Sequence, residues 1–137
     1  MNSFVVFGIS ASALAAQRQR MNVIASNMAN AHSTRTEEGG PYRKRDVVFS
    51  PVLLAPDHGE LKGVEVVDIV ADNTPFKTVY DPGHPDAGKD GYVAMPNVNI
   101  IEEMANMMMA SRAYEAAVST FNMSKSMFMK TLELGRV

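Results

Sequence analysis

The sequence predicts a mainly α protein with a small β region: two long helices, one at each end, pair as a coiled coil, and an irregular β-containing segment lies between them. Three observations predict this. Apolar residues recur every seven positions over residues 4–31, a second seven-residue repeat runs from Ile100 to Leu132, and the stretch 32–98 holds all seven prolines and seven of the nine glycines. A period of seven, split into steps of three and four, marks helices that pack along a seam. Proline and glycine mark turns.

In the first helix, Phe7, Leu14, Met21 and Met28 form one row of the seam, and Phe4, Ala11, Arg18 and Ala25 form the other. Arg18 interrupts the apolar surface, and Gly8 weakens the first turns by about 1 kcal/mol relative to alanine. The polar cluster Asn30–Ser33 ends the helix. Residues 4–16 are small and apolar and contain Ala11-Ser12-Ala13, like the end of a secretory leader. Such leaders open on a basic region, and Met1-Asn2-Ser3 has no charged side chain, so the segment is read as helix that is not cleaved away.

The middle reads as a lean β element. Glu38-Gly39-Gly40-Pro41 is a turn, residues 45–50 and 63–71 are short β-branched strand candidates, and residues 81–91 are loop. Apolar residues fall on both faces of 63–71, which predicts partial cover on both sides.

The last helix is the clearest element. Asn99 is its N-cap, with Glu102 three residues on as the second half of a capping box, and Gly135 is its stop. Ile100, Met107, Tyr114, Phe121 and Phe128 make one row, and Met104, Ser111, Val118, Lys125 and Leu132 make the second. Thirty-five residues at 1.5 Å each give about 52 Å, too long to stand alone. The two helices pair in antiparallel or parallel fashion, dividing the chain into 1–32, 33–98 and 99–137, with the first and third as one coiled-coil domain. Ile9, Val23 and Ile24 on the first helix, and Ile101, Met108, Met109, Met123, Met127 and Met129 on the second, lie outside this seam. One intramolecular contact cannot bury them all. Seven of the eleven methionines are in the last helix; this flexible side chain fills a bundle core or adapts to non-identical neighbours.

Composition removes several function classes. The absence of cysteine excludes disulfide scaffolds, thiol nucleophiles, cysteine zinc sites and iron–sulfur clusters. A net charge of −2 argues against an electrostatic nucleic-acid binder, and no apolar run is long enough to span a bilayer. Charge is uneven: residues 1–45 carry +4, residues 46–103 carry −8 and residues 104–137 carry +2. No phosphate loop or nucleophile elbow is present. His32, His58 and His84 are spaced by 26, but their surroundings do not repeat. Asp81, His84 and Asp86 could gather at a metal but read better as a turn, so no cofactor, metal or catalytic residue is expected. Arg43-Lys44-Arg45 is either an anion-binding run or a solvated strand edge.

Several motifs carry a resemblance. Ser10-Ala11-Ser12-Ala13-Leu14-Ala15-Ala16-Gln17 and Met21–Ala31 (MNVIASNMANA) resemble the N-terminal helix shared by flagellar axial proteins, the rod and hook family. Gly39–Arg43, Asp46–Phe49, Tyr80-Asp81-Pro82, His84–Ala87, Gly91–Asn99, Glu103-Met104 and Ser111–Ala116 narrow it to the basal-body rod members, over nearly the whole chain. His32, Ala117 and Met28 depart from the usual pattern in ways that helix packing accommodates.

The resemblance implies a non-enzymatic structural subunit of the proximal rod, polymerising through its terminal helices into the drive shaft that carries motor torque to hook and filament. It implies export through the flagellar type III apparatus without a cleaved signal, and a place in the flagellum basal body, in the rod crossing the periplasm. Implied partners are the rod proteins FlgB, FlgF and FlgG, the FliE adaptor and further copies of the chain, with no nucleic acid and no small-molecule substrate. The other readings are a small helical protein-binding module, which would be stably folded as a monomer, and an enzyme using His84 or His58 beside the acidic middle.

Overall fold

The computed structural model describes residues 3–54 and 62–135 and, of Ser3 and Phe4, the backbone alone. His58, the Met1-Asn2 start and the side chain of Phe4 thus lie outside the described residues. Helix α1 spans Ser3–Ala29, strands β1 and β2 span Arg45–Leu53 and Lys62–Ala71, β3 and β4 span Lys77–Tyr80 and Tyr92–Met95, and helix α2 spans Ile100–Leu134. The strands form two separate antiparallel pairs, β1–β2 and β3–β4. The first pair runs from Arg45 opposite Ala71 to Leu53 opposite Lys62, with a bulge between Val48 and Phe49.

The helices pair antiparallel. Near the start of α1, the Phe7 ring meets Phe121 and Phe128 of α2 edge-on, with centroids 5.3 and 6.1 Å apart. At the other end, Asn27 of α1 reaches Glu103 of α2 at 2.9 Å. Each such aromatic pair contributes about 0.5–1.5 kcal/mol beyond the area it buries.

One row of each expected seam lies where the repeat put it, apart from the exposed Ile100 at the start of α2, and most of the companion rows do not. Along α2, the residues turned inward in the two rows that meet α1 are Glu103, Met107, Ala110, Tyr114, Ala117, Phe121, Ser124 and Phe128, with Asn106, Ser111 and Ala113 half-buried beside them. The second row is therefore Glu103, Ala110, Ala117 and Ser124. Of the expected second row, Ser111 is half-buried, whereas Met104 is 52% exposed and Val118, Lys125 and Leu132 are exposed too. Along α1, Phe7, Leu14, Met21 and Met28 are half-buried, but Ala11, Arg18 and Ala25 face outward. Ser10, Gln17 and Ile24 turn inward instead. The reason is size. On α2 the true companions are small or charged and on α1 Ser10 and Gln17 are polar, so hydrophobicity marks only Ile24 among them, and small side chains let the helices approach until Ala110 is 0% exposed.

Both ends of α2 differ from expectation in detail. The Asn99 side chain caps the helix by accepting from the Ile101 N–H at 3.2 Å. Glu102 does not close a capping box; it lies 3.5 Å from the Lys44 ammonium. Gly135 stands at the stop, but with φ −82° rather than the left-handed glycine conformation.

The middle segment is not looped away. Helix α1 packs against β1 and β2 as well as α2. The Ser12 hydroxyl accepts the Val64 N–H at 3.1 Å and donates to the Ile9 carbonyl at 2.7 Å. Gly63 sits so close that a Cβ there would lie 2.7 Å from the Ser12 Oγ and 2.9 Å from the Leu54 side chain. Only the start of β2 is covered; from Val67 onward the strand is exposed, so the expected cover on both sides extends over part of its length. The β3–β4 pair was not expected from the sequence: each strand has four residues, too few for a pattern to register. The small apolar core sits where the segments meet, with Ala31, Tyr42 and Val98 in contact and Val93 beside β3.

Candidate functional site

Two features carry chemistry: a buried polar cluster at the junction of helices and strands, and the outward faces of the helix pair. The cluster begins at Asn27, the last buried residue of α1 and 0% exposed. Its amide nitrogen donates to the Arg45 carbonyl at 2.8 Å and the Glu103 carboxylate at 2.9 Å. Its oxygen accepts from the Tyr42 hydroxyl and the Arg45 N–H, both at 3.0 Å. Against Arg45, this side chain acts like a neighbouring strand, engaging one N–H and one C=O.

Glu103 is 1% exposed. Its carboxylate lies 3.4 Å from the Lys44 ammonium and accepts from the Asn106 amide at 3.3 Å. Burial acts to depress the Lys44 pKa, but Asp46, Glu103 and Glu102 outweigh it, so the ammonium titrates above its ordinary value. The Lys44 N–H donates to the Asn97 side chain at 2.8 Å, and the Asn97 amide donates to the Asp72 and Thr74 carbonyls at 3.1 Å. Asp72 in turn is held low in pKa by the Thr74 hydroxyl and N–H that it accepts.

The basic run is thus neither an anion-binding stripe nor a uniformly solvated edge. Strand alternation sends Lys44 inward. Arg43 stacks 4.3 Å over the Phe76 ring and donates to the Asp72 carbonyl, and Arg45 lies over Tyr42. Glu37 and Glu38 line an open cleft of about 440 Å³ together with these two arginines. Asp81, His84 and Asp86 brace a turn. Asp81 accepts the Gly83 N–H, His84 accepts the Asp86 N–H, and Asp86 accepts the Thr34 hydroxyl. Among the described residues, no group of three His, Asp or Glu converges as a metal site, and no described helix is long and apolar enough to cross a membrane.

The outward faces of the two helices differ in side-chain size. On α1, the exposed residues Ala11, Ala15, Arg18, Asn22, Ala25 and Ala29 repeat in steps of four and three, a strip of mostly small side chains. On α2, large apolar residues stand outside the intrachain seam in two groups. Ile101, Met104, Met108 and Met109 lie near its start; Met123, Met127, Met129, Leu132 and Leu134 lie near its end. Of the expected interface residues, the fold brings Phe7, Leu14, Met21, Met28, Met107, Tyr114, Phe121 and Phe128 to half-buried positions within the chain and leaves Met104, Val118 and Leu132 open. Sequence reasoning missed Asn27, Lys44 and Glu103. The available signals were a polar asparagine inside the shared N-terminal motif and a glutamate three residues after a seam position.

Comparison with known proteins adds two kinds of match. Residues 7–35 match the family model described as flagella basal body rod protein, and residues 89–134 match the one described as flagellar basal body rod FlgEFG protein C-terminal. The chain is 50% identical over 131 residues to the flagellar basal-body rod protein FlgC of Escherichia coli O6:H1, covering 96% of each chain. It is 42% identical over 149 residues to the FlgC of Borreliella burgdorferi, covering 98% of each. To the Bacillus subtilis FlgC it is 41% identical over 150 residues, covering 99% of this chain and 100% of the relative.

Proposed function

The chain belongs to the FlgC family of flagellar basal-body rod proteins, and from that premise we propose that it is a non-enzymatic subunit of the proximal rod that polymerises through its terminal helices. The observation that carries this reading is the large apolar surface of α2 left open outside the helix seam. Monomeric proteins rarely leave such a surface uncovered.

In this reading, residues 1–32 and 99–137 form the axial layer and residues 33–98 lie outside it. Phe7, Leu14, Met21, Met28, Met107, Tyr114, Phe121 and Phe128 hold the helix pair together. Met104, Val118 and Leu132, with the neighbouring methionines, meet the small-residue strip of α1 on the next subunit. Large flexible side chains then enter a strip lined by alanine. A contact between two different faces generates a helical array when its rotation does not close into a ring, and a rod requires such an array. The adaptable methionines suit neighbours that are not identical: FlgB, FlgF and FlgG, the FliE adaptor and further copies of the chain. The subunit then forms part of a drive shaft crossing the periplasm and passing torque to hook and filament, having left the cytoplasm through the flagellar type III apparatus with its N-terminus intact.

Mass spectrometry of detergent- and alkali-washed basal bodies tests this. The chain is expected there with an uncleaved start at Met1 or Asn2. Its absence from basal bodies, with recovery as a soluble monomer, overturns the proposal.

A further inference from the structure

We propose that Asn27, Lys44 and Glu103 form a latch that makes the docking of α2 on α1 conditional on the start of β1 being in place, so that helix pair and strand open and close as one unit. Glu103 occupies a seam position whose equivalents along the row are Ala110, Ala117 and Ser124. The two helices alone offer its buried carboxylate only amides, from Asn27 and Asn106. A buried carboxylate without a counter-charge is among the costliest arrangements in a protein. The counter-charge is Lys44, which enters from the residue immediately before β1.

Asn27 has the same dependence. Three of its four hydrogen bonds go to Tyr42 and to the backbone of Arg45. Without the strand start, its buried oxygen has no donor. The coupling is reciprocal, as linkage requires, because Asn27 supplies the Arg45 backbone with partners. Asn97, just ahead of α2, takes the Lys44 N–H and so ties the entry of that helix to the same strand. This latch lies within one chain and does not depend on the assembly reading.

Native-state hydrogen exchange of the full chain over a series of urea concentrations tests it, comparing β1 amides with those of α2 between Met107 and Tyr114. The two sets are expected to open together in the unaltered chain. Lys44→Met is expected to speed exchange in both sets by about 10- to 100-fold, and Lys44→Arg to leave both near the unaltered rates. The double variant Lys44→Met/Glu103→Met removes the buried charge along with its partner, and is expected to restore α2 protection, a recovery that damaged packing alone does not produce. If β1 exchanges faster in Lys44→Met while α2 keeps its protection, the latch is wrong. Should Lys44→Met fail to fold, the unaltered chain decides alone: opening of the two sets at separate urea concentrations overturns the proposal.

Discussion

Asn27 has every hydrogen-bonding position filled, and its partners come from two separate parts of the chain, residues 42–45 and Glu103. Asn27→Ala removes all four bonds and leaves the Glu103 carboxylate and the Arg45 backbone short of partners. We expect a loss of about 2–4 kcal/mol in urea unfolding, against a few tenths for Asn22→Ala on the outer strip. Lys44 sets a pH dependence of definite sign. Its folded pKa lies above the ordinary 10.5 because nearby carboxylates outweigh burial. The stabilisation from the charged form is therefore fully present below that ordinary value and is lost as pH rises through the folded one. Unfolding free energy measured from pH 8 upward should fall at the alkaline end, and Lys44→Met should remove Lys44's contribution to that fall.

The seams separate two kinds of substitution on α2. Phe121 packs edge-on against Phe7, so Phe121→Asp puts a charge into the helix pair and should cost several kcal/mol. Thermal unfolding of the isolated chain measures it. Met104→Asp, at an exposed position, should leave that transition within about 0.5 kcal/mol but abolish motility through loss of subunit contact. The same contrast explains how far the sequence could be read. Both helices and the strong rows of each seam follow from period seven, because aromatic and large aliphatic residues repeat there, and the cap at Asn99 follows from asparagine's side-chain acceptor. The companion rows do not, because Ala110, Ala117 and Ser124 are small and Glu103 is charged, and a repeat scored by hydrophobicity assigns them to solvent. For the same reason the Met104, Val118 and Leu132 row looked like seam. The polar junction was hidden because Asn27 and Glu103 are 76 positions apart, and only the fold makes them neighbours.

Across the whole molecule, one cluster joins the paired helices to the β region, and this makes the middle segment part of the chain's rigidity. The turn of Gly39 and Gly40, both at positive φ, closes through the Thr36 N–H to the Gly40 carbonyl and delivers Tyr42 to Asn27. Deleting Gly39–Pro41 should therefore reduce rod completion, scored by electron microscopy of basal bodies, while the chain still appears in the export fraction. Retention in the cytosol would instead assign this region a role in export. The open methionines have a chemical consequence of their own. A thioether reacts with peroxide to give a polar sulfoxide, and a chain without cysteine has no thiol to intercept the oxidant. Met104, Met108, Met109, Met123, Met127 and Met129 are all more than half exposed in the single chain, so each is a natural footprinting probe. The sulfoxides that appear in the free subunit and vanish in the rod will mark, residue by residue, the face that its neighbours cover.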